Sequence, residues 1–139
     1  MWYQPYSLED LSALGRDGGM ARLVGLELVE IGADYLKGQM PVDERTKQPF
    51  GILHGGASCV LSESLGSIAA WMCINPETQR AVGLEINANH IRSVTEGLVT
   101  GLCRPLHVGR RTQVWQTDIF NDAQKMVCTS RLTVAILDR

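Results

Sequence analysis

The stretch Gln48-Pro49-Phe50-Gly51-Ile52-Leu53-His54-Gly55-Gly56-Ala57-Ser58 opens the longest weakly charged run of the chain and decides its fold. Pro49 and Gly51 exclude regular structure ahead of the run. Residues 55–73 then predict one long helix whose apolar side chains lie nearly all round it. A helix of that kind is buried within its protein, so we expect a central helix that the rest of the chain wraps.

Strand signals lie on both sides of this helix. Two strands are predicted at residues 23–31 and 35–42, with a turn at Gly32-Ala33-Asp34 between them. Four more strands are predicted after the helix, at residues 80–92, 97–107, 112–120 and 126–137. Short turns favour antiparallel neighbours, so the expected fold class is α+β, an antiparallel β-sheet wrapped around one long central helix.

Two local patterns add detail to this prediction. Residues 7–15 predict a short amphipathic helix with Ser7 as its N-cap, ending near Gly15, and Gly18-Gly19 predicts a flexible joint after it. In the first strand after the central helix, alternation predicts that four apolar residues share one face and that glycine and polar residues occupy the other. The four apolar residues are Val82, Leu84, Ile86 and Ala88.

Length and composition indicate one ordinary globular domain over residues 1–139. Hydrophobic residues make up 45% and charged residues 20% of the chain. The net charge of −2 gives no electrostatic case for nucleic acid or an anionic membrane as a partner. Residues 52–76 are long enough to span a bilayer, but they carry Glu63, several glycines and several serines, which indicates a buried helix of a soluble protein.

The cysteines and the first residues bear on the compartment. Met1-Trp2-Tyr3-Gln4-Pro5 lacks the basic and apolar regions of a secretory signal. The four cysteines form no C-x-x-C pair, so we expect no metal site. Reduced core thiols in a cytoplasmic protein are therefore the expectation.

Two features of the central helix predict its chemistry. Glycine at a helix start leaves backbone N–H groups open to an oxyanion, and Gly55 occupies that position. Glu63 is the only charged residue between Lys47 and Glu77, and a carboxylate in an apolar helix is costly unless it has a partner or a role. Together they point to hydrolysis of an activated carbonyl, with Glu63 as general base or nucleophile.

The spacing of these two residues predicts a shared site. Gly55 and Glu63 are eight residues apart, about 12 Å along one helix. Reacting groups must come within roughly 3–3.5 Å of one carbon, so both can act only if they belong to different subunits. Two antiparallel helices across a two-fold axis meet that requirement.

Several segments carry a resemblance to a known family. They are Met40-Pro41-Val42-Asp43, Arg45 to Gly51, Leu53 to Ser58, Glu63 to Ser67, Val82 to His90, Pro105 to Arg110, Gln113-Val114-Trp115 and Ser130 to Thr133. With these, the chain resembles the hotdog-fold thioesterases over nearly its whole length. It is similar to the bacterial 1,4-dihydroxy-2-naphthoyl-CoA hydrolases and to the aroyl-carrier-protein proofreading thioesterases.

The resemblance implies an acyl-CoA thioesterase that prefers aromatic acyl groups. It also implies a homodimer with shared active sites, itself part of a dimer of dimers (a homotetramer), and a place in menaquinone biosynthesis. No cofactor is expected, because CoA is part of the substrate. An acyl or aryl carrier protein stays open as a partner, since closely similar sequences divide between CoA and carrier-protein substrates.

Residue by residue, the resemblance adds to the candidate site. Gln48 is expected to bond the thioester oxygen or the water, and Ser67, four residues beyond Glu63, the water or an acyl hydroxyl. His54 is expected to cap the helix, to place the carbonyl, or both. The expected substrate-binding residues are Ile68, Val82, Gly83 and His90. The expected CoA-binding residues, in which arginines suit phosphates, are Arg92, His107, Gly109, Arg110 and Arg111.

Three other functions compete with this prediction. A hotdog dehydratase pairs a histidine with an acid in a loop-and-helix pattern that this chain lacks. A non-catalytic acyl-CoA-binding regulator usually lacks the helix carboxylate and carries a DNA-binding segment, so Glu63 argues against it. A proofreading hydrolase of aroyl-carrier-protein thioesters remains the main alternative, because the sequence does not fix the acyl group or its carrier.

Overall fold

The computed structural model describes residues 1–14 and 19–139. Three helices and six strands are present in these ranges. In chain order they are α1 (Leu8–Ala13), α2 (Met20–Leu23), β1 (Glu27–Ile31), β2 (Leu36–Pro41), α3 (Gly55–Met72), β3 (Gln79–His90), β4 (Leu98–Val108), β5 (Thr112–Asn121) and β6 (Met126–Asp138).

The six strands form one antiparallel sheet that curves around α3. Their order across the sheet is β1-β2-β4-β5-β6-β3, and every neighbouring pair is antiparallel. The core lies between the sheet and α3, where Leu61, Leu65 and Trp115 are fully buried. The predicted α+β hotdog architecture is therefore confirmed.

Glycines in the sheet let α3 approach closely. A Cβ on Gly38 of β2 or on Gly101 of β4 would lie 2.8 Å from a methyl carbon of Leu65. Such contacts are far shorter than van der Waals separation, so only glycine fits beneath the helix at these two positions. The helix therefore sits in a fixed place on the sheet, which positions the groups at its N-terminus.

The N-terminal prediction is partly confirmed and partly wrong. Helix α1 has the predicted N-cap at Ser7, within a capping box in which the Ser7 hydroxyl accepts from the Asp10 N–H and the Asp10 carboxylate accepts from the Ser7 N–H. The strand predicted from residue 23 begins only at Glu27, because Gly25 has φ of +71° and residues 20–23 are helical. The predicted helix end at Gly15 and the Gly18 half of the joint lie outside the described residues.

The prediction of which β3 residues share a face is also wrong, for the first half of the strand. A β-bulge at Leu84 shifts the pairing with β6, since Gly83 pairs with Val134 and Glu85 with Thr133. One extra residue inverts the alternation, because side chains change face at every position. Val82 and Leu84 are exposed, whereas Ala81 and Ile86 pack against the core. Alternation read from sequence alone does not reveal where a bulge falls.

The two edge strands of the sheet differ in length. Strand β1 is five residues long, whereas β3 spans twelve and pairs only with β6 among the described strands. A long unpaired edge presents a row of backbone donors and acceptors to another chain.

No helix in the described ranges has the length and apolarity needed to cross a bilayer.

Candidate active site

A cavity of about 320 Å³ lies at the N-terminus of α3. Its wall combines the loop before α3, the first turn of α3, the end of β3 and the start of β6. Polar groups and apolar side chains both line it. The lining residues are Gln48, Ile52, Leu53, Gly55, Ser58, His90, Ile91, Arg92, Ser93 and Val127.

The first turn of α3 leaves one backbone donor unused. The Gly56 N–H donates to His54 Nδ1 (2.7 Å), and the Ala57 and Ser58 N–H groups donate to the His54 carbonyl (2.9 and 3.3 Å). Within the described residues no acceptor pairs with the Gly55 N–H. This N–H at the positive end of the helix dipole lines the cavity, so it is available to a developing oxyanion.

His90 lies directly against this donor. A Cβ on Gly55 would lie 2.8 Å from His90 Nε2 and 3.0 Å from its Cε1, so the imidazole fills the space that a side chain at residue 55 would need. A side chain at residue 55 would have to displace the His90 ring, so it is this contact rather than backbone conformation that favours glycine here. Gly55 and His90, which were predicted separately as site residues, thus lie together although they are 35 residues apart in the chain.

The loop before the helix fixes Gln48. The Gly51 N–H donates to the Gln48 carbonyl and the Gln48 N–H donates to the Ile52 carbonyl, each at 2.9 Å. The Gln48 side-chain oxygen accepts from the Phe50 N–H. Because that oxygen is engaged within the turn, the amide nitrogen is the group that Gln48 offers to the cavity, as a donor.

His54 takes the capping role that the sequence left open. Its Nδ1 accepts from the Gly56 N–H, which satisfies one of the unpaired donors of the helix start. In the neutral ring the other nitrogen, Nε2, then carries the hydrogen. A direct role of His54 toward a carbonyl stays a prediction.

Glu63 lies in α3 two turns beyond Gly55, half-buried and facing β3. A side chain on Gly83 would overlap Glu63 Oε1, so the glycine makes room for the carboxylate. No hydrogen bond or ion pair in the described ranges engages this carboxylate. Burial raises the pKa of Glu63 above that of an ordinary glutamate, because desolvation disfavours the charged form.

The other helix candidates follow Glu63. Ser67 is half-buried one turn later, and Ile68 packs against the core. Val82, next to Gly83 on β3, is 44% exposed. These residues share a part of α3 and β3 that is remote from the cavity.

The structure therefore divides the predicted site into two parts. The donor part, with Gln48, Gly55 and His90, lines the cavity, whose lining within the described chain contains no carboxylate. The carboxylate part lies about 12 Å farther along α3 by helical rise, where Glu63 meets Gly83. One chain does not bring the two parts together.

The predicted CoA-binding residues are likewise separated within one chain. Arg92 lines the cavity at the end of β3. His107, Gly109, Arg110 and Arg111 occupy the β4–β5 turn, where the His107 ring covers Gly109 and the arginines are exposed. This turn lies beside the start of β3, since Thr112 pairs with Ala135 and Ala135 with Val82.

The cysteines show no sign of nucleophilic function. All four are free, and burial raises the pKa of each thiol, to about 12 for Cys103. Cys59, one turn before Glu63, also has its pKa raised by that carboxylate. A thiol with a raised pKa is a poor source of thiolate. Among the described residues no cluster of three or more potential metal ligands is found.

Sequence reasoning missed part of the cavity wall. Ile91 and Val127 meet there because the Ile91 N–H donates to the Val127 carbonyl at 2.7 Å. They are 36 residues apart, and no local pattern connects them. Ser58 had a usable signal, since it lies three residues beyond Gly55 on the same helix face.

Comparison with known proteins gives consistent results. Residues 50–128 match the family model described as the thioesterase superfamily. The chain is 54% identical over 137 residues to a 1,4-dihydroxy-2-naphthoyl-CoA hydrolase of Escherichia coli K12, covering 99% of both chains. It is 45% identical over 137 residues to the proofreading thioesterase EntH of Cronobacter sakazakii, covering 99% of this chain and 98% of that one.

A solved structure agrees over the same length. The crystal structure of a mutant thioesterase from Pseudomonas aeruginosa superimposes with a TM-score of 0.96 at 43% identity, covering 99% of each chain. Agreement at that level extends to the relative placement of helix and strands.

Proposed function

Because this chain belongs to the thioesterase superfamily, we propose that it hydrolyses aromatic acyl-CoA thioesters to the free acid and CoA. One observation carries the proposal. The same helix presents an unused N–H at its start, on Gly55, and an unpaired half-buried carboxylate, on Glu63. The hydrolase from Escherichia coli, with which the chain shares 54% of its residues, supports 1,4-dihydroxy-2-naphthoyl-CoA as the substrate.

In the proposed chemistry, the donor part of the site binds the oxygen of the acyl carbonyl. The Gly55 N–H and the Gln48 amide nitrogen hydrogen-bond the thioester oxygen and stabilise the negative charge that develops there. Glu63 takes a proton from water as the water oxygen bonds to the carbonyl carbon, the C–S bond breaks, and the thiolate leaves and is protonated. Direct attack by Glu63, giving an anhydride that water then opens, uses the same geometry.

This chemistry requires a second copy of the chain. Gly55 of α3 lies against His90 of β3, and Glu63 of α3 lies against Gly83 of β3. The donor part and the carboxylate part therefore occupy two separate places along the same helix and strand. A two-fold axis midway between them, near Cys59, would place the donor part of one copy beside the carboxylate part of the other. The long free edge of β3 suits that pairing. The proposed assembly is a homodimer with shared sites, paired again as a homotetramer.

The same symmetry would reunite the CoA-binding residues. Arg92 belongs to the donor part, whereas the β4–β5 turn with Arg110 lies toward the carboxylate part. In a dimer both reach one substrate from different subunits. Arginine guanidinium groups suit the pyrophosphate and ribose phosphate of CoA.

Removing these arginines is expected to weaken binding of the nucleotide and to leave the chemical step intact. Arg92→Ala and Arg110→Ala should each raise KM for an acyl-CoA roughly tenfold with kcat little changed, because remote phosphate contacts give mostly uniform binding. With a truncated pantetheine thioester, which lacks the phosphates, both variants should match the wild type. Steady-state kinetics on the two substrates makes the comparison.

Arg104→Ala is the matched control, since Arg104 is an exposed arginine in the middle of β4 that belongs to neither group. It should leave both substrates unaffected. Equal losses on the CoA and pantetheine substrates would show instead that Arg92 and Arg110 hold the fold or the dimer together.

A second candidate activity is proofreading hydrolysis of aroyl-carrier-protein thioesters. The chain is 45% identical to a proofreading thioesterase. A phosphopantetheine arm presents the same thioester as CoA, so the same site serves both, and the carrier protein would then be the partner.

A substrate panel tests the proposed function. Purified protein is assayed with 1,4-dihydroxy-2-naphthoyl-CoA, benzoyl-CoA, a medium-chain aliphatic acyl-CoA and an aroyl carrier protein, and kcat/KM is compared. The proposal expects the naphthoyl substrate to lead, which would support a place in menaquinone biosynthesis. Leading activity on the carrier protein would favour proofreading, and no hydrolysis of any thioester would refute both.

A further inference from the structure

The most exposed large hydrophobic side chain of the described chain lies beside the cavity. Phe50 is 89% exposed, at the tip of the loop between β2 and α3. Single exposed apolar residues are normal on protein surfaces, so exposure alone carries no conclusion. Phe50 differs from the other exposed apolar residues in two respects. It lies next to cavity residues in the chain, and the turn that carries it is fixed by hydrogen bonds.

The turn that carries Phe50 is fixed by its residue types and by its backbone hydrogen bonds. Pro49 occupies the second position of the turn, where its fixed φ is favourable, and Gly51 closes the turn with φ of +80° and a 2.9 Å bond to the Gln48 carbonyl. A bridge between Lys47 and Leu53 ties its base. The Phe50 ring is thus presented from a defined point without being packed on its own chain.

Phe50 and the cavity donor Gln48 form one unit. The Phe50 N–H donates to the Gln48 side-chain oxygen, so the position of the ring and that of the Gln48 amide nitrogen are set together. Two residues span at most about 7 Å, and the ring reaches several ångströms farther. Phe50 itself does not line the cavity, but this distance is short enough for its ring to reach a group bonded directly to a carbonyl held by Gln48 and Gly55.

The cavity wall indicates which part of the substrate comes here. Beside the polar donors it presents Ile52, Ile91 and Val127, and Ile91 is itself 55% exposed. An apolar wall with an aromatic ring at its edge favours a planar apolar group over the amide-rich pantetheine arm. The acyl group is that part of an aromatic thioester.

We propose that Phe50 is a specificity-determining residue whose ring packs on the aromatic acyl group of the substrate. This inference rests on the proposed thioesterase function and adds the residue that selects the acyl group. It predicts that Phe50 contributes to aromatic substrates and little to aliphatic ones. Because the ring makes few contacts with its own chain, removing it should leave the fold stable.

The test measures selectivity in Phe50 variants. For Phe50→Ala, kcat/KM for benzoyl-CoA should fall about tenfold relative to a medium-chain aliphatic acyl-CoA, as expected for loss of an aromatic contact. Phe50→Tyr should retain the wild-type ratio and Phe50→Leu should lie between. Leu14→Ala, which removes a 59% exposed side chain after α1, is the matched control and should change nothing.

Other outcomes would overturn the inference without touching the proposed function. An equal loss on both substrates would place the ring on the pantetheine arm, and an unchanged ratio would leave it without a substrate contact. Dissociation of the oligomer in Phe50→Ala, measured by sedimentation, would assign the ring to a subunit contact. If the wild type hydrolyses neither of these substrates, nor 1,4-dihydroxy-2-naphthoyl-CoA, nor an aroyl carrier protein, the proposed function itself fails.

Discussion

Glu63→Gln is expected to abolish nearly all turnover while the protein stays folded. Glu63 is the only acid in α3, and its carboxylate has no partner in the described structure that would give it a structural role. Loss of a general base typically costs about 10²–10⁴-fold, and loss of a nucleophile costs at least as much. Glutamine is nearly isosteric, so kcat should fall by that factor at unchanged circular dichroism.

Glu77→Gln provides the matched control for this variant. Glu77 is an exposed acid just beyond the end of α3, and neutralising it should leave kcat unchanged. If Glu63→Gln keeps more than about a tenth of wild-type kcat, the base or nucleophile lies elsewhere and Glu63 is merely tolerated in the helix.

The raised pKa of Glu63 also links activity and stability to pH. The acid limb of kcat/KM should have its midpoint above 4.5, the ordinary glutamate value, because only the ionised carboxylate acts. The folded state binds the proton more tightly than the unfolded state, so wild-type stability falls as pH rises from 4.5 through the raised pKa. Glu63→Gln should therefore melt above the wild type at pH 7, with the difference vanishing well below pH 4.5.

Mixing two inactive variants is expected to restore activity. Gln48 belongs to the donor part of the site and Glu63 to the carboxylate part, about 12 Å apart along α3 by helical rise. When Gln48→Ala and Glu63→Ala are unfolded and refolded together, half of the dimers carry one of each chain. Each such dimer has one intact and one doubly defective site, so about a quarter of wild-type activity should return by two-fold symmetry.

The controls for mixing are the two variants refolded separately and a tagged wild-type pair that reports chain exchange. The separate variants should stay inactive, and native mass spectrometry should show the mixed species. No recovery despite confirmed exchange would place the whole site within one chain, with another oxyanion donor nearer to Glu63 than Gly55.

Much of the architecture could be predicted from sequence because it depends on local patterns. The turn chemistry ahead of His54, the helix start at Gly55 and the apolar helix that follows are written in consecutive residues. The predicted strands after α3 agree with the observed ones to within two residues at each end. Turn residues and period-two alternation act over a few positions, so a sequence carries them directly.

Predictions failed where a single backbone event changed the register. The bulge at Leu84 puts the two halves of β3 in opposite phase, so Val82 is exposed and Gly83 faces α3, whereas Ile86 and Ala88 beyond the bulge pack against the core. Gly25, with its positive φ, delays the start of β1 in the same local way. Neither the bulge at Leu84 nor the positive φ of Gly25 can be recognised from the neighbouring sequence alone.

The sequence by itself determined the fold class, the helix with its single acid, and the family. Only the tertiary structure decided which of these residues meet. Gly55 meets His90 through packing of α3 against β3, and Ile91 meets Val127 through a backbone hydrogen bond. Both contacts join segments about 35 residues apart, which no local pattern encodes. The separation of Gly55 and Glu63 along α3 already followed from the sequence, through helical rise. Only the tertiary structure decided which groups surround each of them, because His90 meets Gly55 and Gly83 meets Glu63 by packing of β3 against α3.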